Sequence, residues 1–302
     1  MGATGDFRSS AELDWGFGMQ AGNQPIANHP VQKIGGFEVK AVSDGILTTS
    51  LDVLVGLGQS EMERLAGASR TEPIFLPVNC FLLEISGQPA LIDVGAGNSL
   101  GPTLGKLPEN LRTLGVASES IRYILLTHLH PDHSNGLVDA DGQAQYPNAE
   151  VIVHEREARF WLEREAKPDD SERLRRGTEA AKRATAPYRD RLRKVSDGEV
   201  FPGVSARLQA GHTPGHTGWL LHSGDDRMLI WGDIVHLASV QVPRPDATLV
   251  FDVDQPGAWQ SRVGVFDWVA TERIRVAGTH LKFPGFGHIV RTGGGYAYRP
   301  ES

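Results

Sequence analysis

Cysteine is nearly absent: Cys80 is the one thiol among 302 residues. An internal disulfide is therefore excluded, as are Cys-x-x-Cys redox motifs and thiolate metal sites. Flanked by Asn79 and Phe81, Cys80 reads as a small core residue. An excess of positive charge is also missing. The 30 Lys and Arg stand against 37 Asp and Glu, a formal net charge of −7. Without clustered cations the chain has no field to hold a phosphate backbone, so nucleic acid is not expected as a partner. Long apolar runs are lacking too. Stretches such as Tyr123 to Leu126 fall far short of the roughly 20 residues that a bilayer crossing needs, so no membrane partner is expected. What the chain does have is 40% hydrophobic residues, enough to fill a sizeable core.

Residues 1–30 carry no basic start followed by an apolar run, and Asp6 stands where a myristoylation signal needs Ser or Thr. They read as an arm, either flexible or packing Trp15, Phe17 and Met19 onto a partner surface. As written, the chain is expected in the cytoplasm, or in the periplasm or outside the cell where a leader has been removed. Residues 31–302 read as one domain in which β-like and helical segments recur in both halves. Strands are expected over Phe75 to Ile85, Ala90 to Val94, Tyr123 to Thr127 and Ala149 to Val153 in the first half. In the second half they are expected over Val204 to Leu208, Trp219 to His222, Met228 to Trp231 and Ile274 to Ala277. Leucines at positions 104, 107, 111 and 114 and the apolar spacing from Gly257 to Thr271 predict helices. Glu155 to Lys194 is charge-dense and reads as a helical insertion, broken at Pro168 and Pro187, whose charges form a solvated face. A layered α/β architecture of two similar halves follows.

The chemistry concentrates after the strand Tyr123 to Thr127. His128-Leu129-His130-Pro131-Asp132-His133 places three imidazoles and a carboxylate within six residues. Such a group cannot be satisfied in a core without a shared partner, and a metal is the economical one. Imidazole and carboxylate without thiolate suit Zn, Mn, Fe or Co. Further candidates follow later strands: His212 in Gly211-His212-Thr213-Pro214-Gly215-His216, Asp233 after Trp231-Gly232, and His280 after Gly278-Thr279. Each sits where a strand hands over to a loop, the place where α/β sites are built.

The order His-x-His-x-Asp-His, then His, Asp and His, together with Asp93 in Asp93-Val94-Gly95, resembles the metallo-β-lactamase superfamily. The resemblance implies a four-layer αββα sandwich with a dinuclear centre. His128, His130 and His212 would hold one divalent ion and Asp132, His133 and His280 the other, with Asp233 bridging and Asp93 behind the ligands as an orienting partner. Zinc leads as the metal, with Mn, Fe and Co open. Trp231-Gly232-Asp233-Ile234-Val235-His236, Phe283-Pro284-Gly285-Phe286-Gly287-His288, Gly101-Pro102-Thr103-Leu104-Gly105 and Phe160-Trp161-Leu162 are similar to the methyl parathion hydrolase branch. That branch implies hydrolysis of organophosphate triesters, with lactones and aryl esters turned over by relatives.

A hydroxide held between two metals would be the nucleophile, so no Ser or Cys is needed. Asp233 and Asp132 are the catalytic candidates through the metals they hold. Trp161, Leu100, His236 and Phe283 are candidates for the substrate pocket; Trp161 either caps it or pins its helix to the core. His216 is expected to buttress its loop. Lys282 is the one basic residue next to a candidate ligand, which favours small neutral substrates. A β-lactamase, a glyoxalase II type thioesterase and an iron-dependent persulfide dioxygenase are the alternatives, and a homodimer is expected.

Overall fold

A computed structural model describes residues 29–301. Of the arm expected over residues 1–30, all but His29 and Pro30 lie outside the described residues. The strands of the first half are β1 (Val31–Ile34), β2 (Phe37–Thr49), β3 (Leu54–Val55), β4 (Ile74–Ile85), β5 (Gln88–Ile92), β6 (Tyr123–Leu125), β7 (Glu150–His154) and β8 (Leu192–Val195). Those of the second half are β9 (Gly198–Phe201), β10 (Val204–Leu208), β11 (Thr217–Ser223), β12 (Asp226–Ile230), β13 (Thr248–Leu249), β14 (Arg275–Ala277), β15 (Phe286–Thr292) and β16 (Gly295–Pro300). Between them lie α1 (Gln59–Ala66), α2 (Leu107–Thr113), α3 (Pro131–Ser134), α4 (Glu155–Ala158), α5 (Glu172–Thr185), α6 (Ala238–Gln241) and α7 (Gln255–Glu272).

Two seven-stranded sheets result, ordered β1-β2-β4-β5-β6-β7-β8 and β16-β15-β14-β12-β11-β10-β9, while β3 and β13 pair as a small ribbon between the halves. Period-two alternation decides how they stack, because successive side chains of a strand point to opposite faces. Phe81, Leu83, Ile92, Leu125 and Ile152 of the first sheet meet Trp219, Leu221, Met228 and Phe286 of the second in a shared core. Their neighbours Leu82, Leu91, Ile124 and Val151 face the other way, onto residues of α2, α4 and α5. Leu229, Val276 and Ile289 in turn pack against Val265, Phe266 and Val269 of α7. Helices outside and sheets inside make the αββα sandwich.

Most boundaries fall within a residue or two of expectation, and the differences have local causes. Leu192 to Lys194, read as the end of the helical insertion, belong to β8, which pairs in parallel with β7. Charged Arg193 and Lys194 are tolerated there because β8 is an edge strand with one side open to water. The Ser43-Asp44-Gly45 stretch hides the long β2, which absorbs it through a register shift between Ser43 and Gly45. Ser171 caps α5 by accepting from Leu174 N at 3.2 Å, and Asp254 caps α7 by accepting from Gly257 N at 3.1 Å. Among the described residues no helix is long and apolar enough to cross a membrane.

Candidate metal centre

Five strand exits converge on one point. His128 and His130 leave β6, with Asp132 and His133 carried on α3; His212 leaves β10, Asp233 leaves β12 and His280 leaves β14. Asp93 leaves β5 with a left-handed φ of 58°. The structure gathers His128, His130, His212 and Asp233 into one group and Asp132, His133 and His280 into another, with the donor atoms of each group within 4.8 Å of one another. Asp233 faces both. Its Oδ2 lies 3.2 Å from His212 Nε2 and 3.7 Å from His128 Nε2. Its Oδ1 lies 3.1 Å from His133 Nε2 and 3.4 Å from His280 Nε2.

The donor set fits divalent ions. Among the described residues, His128 Nε2, His133 Nε2, His280 Nε2 and Asp233 Oδ1 are buried without a hydrogen-bond partner, a cost that a shared cation removes. The opposite ring nitrogens are held. Asp93 Oδ2 lies 2.8 Å from His133 Nδ1, and the same carboxylate accepts from Thr127 N and Thr127 Oγ1, each at 2.8 Å. Asp252 Oδ1 lies 2.7 Å from His212 Nδ1, and Pro77 O accepts from His280 Nδ1 at 2.8 Å. His128 Nδ1 rests 3.0 Å from Thr127 Oγ1. Such contacts fix the ring orientation and aim the free nitrogen inward. His216 Nε2 accepts from Asp233 N at 3.0 Å while its Nδ1 lies 3.2 Å from Gln209 O, so its ring braces the Asp233 turn.

The remaining residues singled out in the sequence are placed as follows. His236 lies inside the cluster, its Nε2 2.9 Å from Asp233 Oδ2 and its ring stacked on His280 at 4.8 Å. Trp161 is 3% exposed within the core under the helices. Its indole donates to Glu157 Oε1 at 2.7 Å and packs T-shaped against His130 with centroids 5.6 Å apart, so it pins its turn to the core and supports the ring of a candidate ligand. Leu100 is exposed on the loop after β5, and Phe283 is half-buried against the core between the sheets. Lys282 is exposed. Asp252 and Glu157, which orient the site, escaped the sequence reading. Asp252 stands in Phe251-Asp252-Val253-Asp254 with nothing to mark it, and Glu157 is hidden in the charge-dense segment read as a solvated face, although it is 0% exposed.

Charge in the cluster is tightly balanced. Burial alone would push His133, His212 and His280 down, but the facing carboxylates overcome it. Asp233, Asp132 and Asp93 raise His133 well above the usual range, Asp233 and Asp252 lift His212 to about 9, and Asp233 with Asp132 lifts His280 to about 10. Burial keeps His128 and His130 neutral and takes His236 down to about 4. The metal-free chain therefore carries up to three imidazolium protons at pH 7 that bound ions must displace. Metal uptake in weak buffer is expected to release protons, and affinity to rise with pH through about 9 and on past about 10, as His212 and then His280 shed their own protons. A dye-monitored titration showing no acidification would contradict this balance. A second expectation concerns Asp252: Asp252→Asn removes the carboxylate behind His212 and should weaken metal binding by about 10- to 100-fold in chelator competition.

Fold and donor set together define a metal-binding αββα protein, and the sequence agrees: the metallo-β-lactamase superfamily matches residues 73–267, and the chain belongs to it. Similar curated proteins include the N-acyl homoserine lactonase of Bacillus thuringiensis, 30% identical over 160 residues, covering 47% of this chain and 56% of that protein. The enzyme of the same name from Bacillus cereus is 28% identical over 191 residues, covering 56% of this chain and 69% of that protein. The chain thus spans about half the length of the first of these relatives. Among solved structures, the hydrolase AbOPH of the β-lactamase superfamily superposes with a TM-score of 0.85 at 32% identity, covering 92% of this chain and 99% of that one. AidC, a dizinc quorum-quenching lactonase, superposes with a TM-score of 0.83 at 25% identity, covering 91% and 97%.

Proposed function

We propose that this protein is a dinuclear metal-dependent hydrolase acting on lactones and aryl esters, with organophosphate triesters as further substrates. The observation that carries the reading is the disposition of Asp233, one carboxylate oxygen toward His128 and His212 and the other toward His133 and His280. Two divalent ions, zinc first, would lower the pKa of water toward neutrality and polarise a carbonyl or phosphoryl oxygen. The chain's own groups do the rest. Asp233 and Asp132 set the anionic charge that attracts and spaces the cations, and Asp93 and Asp252 hold the rings of His133 and His212. His236, neutral at pH 7, places its Nε2 2.9 Å from Asp233 Oδ2 and stacks on His280, so it helps to hold the shared carboxylate and a candidate ligand ring in place.

The rim is apolar. Ile46 pairs with Pro77, whose carbonyl holds His280, and exposed Phe75 is two residues along the same strand. Thr103 bonds Ile46 through both backbone and side chain and thereby anchors the loop that carries exposed Leu100. Such walls favour neutral, partly apolar substrates over charged ones. The named activities of the lactonase relatives and of AidC support the lactone arm of the reading; the triester arm rests on the motif resemblance.

The deciding measurement is metal content together with kcat/KM on dihydrocoumarin, an N-acyl homoserine lactone, an aryl ester, paraoxon, nitrocefin and S-lactoylglutathione. Two ions per chain with lactone or aryl-ester turnover well above the rest is the expected result. A preference for nitrocefin or the thioester would replace the substrate class, and one iron with no ester turnover would overturn the hydrolase.

A further inference from the structure

Among the described residues, Glu157 is a buried carboxylate with no cation in contact and four donors around it. Its Oε1 accepts from Leu129 N at 2.8 Å and from Trp161 Nε1 at 2.7 Å, and its Oε2 accepts from Thr213 Oγ1 at 2.7 Å and from Gly215 N at 3.0 Å. Leu129 separates His128 from His130, and Thr213 follows His212. One side chain thus joins a loop of the first sheet to a loop of the second. The approach is close: a Cβ on Gly215 would lie 2.1 Å from Glu157 N, so the backbone there can come near only as glycine. Trp161, held by the same carboxylate, packs T-shaped against the His130 ring with centroids 5.6 Å apart, and His130 Nδ1 ends 2.9 Å from His212 Nε2. The other group, Asp132, His133 and His280, receives none of these contacts.

We propose that Glu157 is a positioning residue for one of the two metal positions: it sets the separation of His130 and His212 and leaves the Asp132, His133 and His280 position untouched. The inference rests on the metal centre described above and not on any particular substrate. An ionised carboxylate offers acceptors on both oxygens, which is what four donors require. A Gln of the same shape offers one oxygen and one amide, so the amide must confront either Gly215 N or Leu129 N.

The test is stepwise removal of cobalt(II) from the fully loaded protein by a chelator, followed through the visible absorption of each ion and checked by elemental analysis. In Glu157→Gln, one of the two ions is expected to bind about 10- to 100-fold more weakly while the other keeps its affinity. Thr213→Val, which removes a single donor, should weaken the same ion by a smaller factor, and Asp93→Asn, which releases His133, should weaken the other ion. Equal weakening of both ions in Glu157→Gln, or unchanged affinities in the folded variant, would overturn the proposal. Should Glu157→Gln fail to fold, Thr213→Val decides alone: selective loss supports the assignment, and equal or no loss refutes it. Because the readout is metal affinity, a protein that binds two ions selectively and yet hydrolyses none of the esters would leave this inference standing and the proposed function fallen.

Discussion

Asp233→Ala is expected to abolish the proposed dinuclear centre: metal content should fall from the proposed two ions per chain to one or fewer, and kcat/KM on the best of the proposed ester substrates should drop by more than about 100-fold. The estimate starts from the effect of losing a residue that merely orients a ligand, about 10- to 100-fold. Asp233 does more than orient. Its two oxygens face His128 and His212 on one side and His133 and His280 on the other. It is also the carboxylate that faces both groups of histidines and holds His133 and His280 in their charged forms before metal enters. Without it, four imidazoles and the cations they attract would lack a shared counter-charge in a buried setting. Elemental analysis and steady-state kinetics on purified variant check the result; two tightly held ions with near-normal turnover would show that Asp233 is not the shared ligand.

The largest stability effect is expected at Trp219. It is 0% exposed in the core between the two sheets, and its indole donates to Leu126 O at 3.2 Å. Trp219→Ala should cost about 3–5 kcal/mol, measured as the shift in urea unfolding at constant slope. The lost hydrogen bond matters beyond the cavity, because Leu126 is the strand exit that leads into Thr127 and His128. A matched control is Trp259→Ala on α7, where the side chain is 46% exposed and a change within about 0.5 kcal/mol is expected. Similar effects at the two positions would mean that the sheets are not sealed by a shared core.

Much of this protein is legible from local pattern. The spacing His128-x-His130-x-Asp132-His133 states its chemistry without a fold, since that many imidazoles and carboxylates in so short a stretch require a common partner. The later candidate donors that the fold brings to the same cluster were also readable, because His212, Asp233 and His280 each follow a strand whose end is marked by Gly, Thr or Trp-Gly turns. Short apolar, β-branched runs bounded by turn residues disclosed the strands, and their recurrence in two halves disclosed the layered architecture.

Other features have no local signature. Glu157 sits in Glu155-Arg156-Glu157-Ala158-Arg159, indistinguishable by composition from the other charged residues of the segment, and becomes buried because α4 turns it, with Ala158, inward against two loops. Asp252 and His212 are distant along the chain and meet through the return of the chain between β13 and α7. Trp161 could have capped a pocket or packed inward, and the absence of a side chain at Gly177, where a Cβ would lie 2.7 Å from the indole, lets it pack inward. The sequence by itself determined which atoms can bind metal, because donor chemistry belongs to residue type and strand exits are coded by short-range pattern. Only the tertiary structure decided which buried carboxylates orient those donors, because a hydrogen bond between segments far apart in the chain depends on how the two sheets stack.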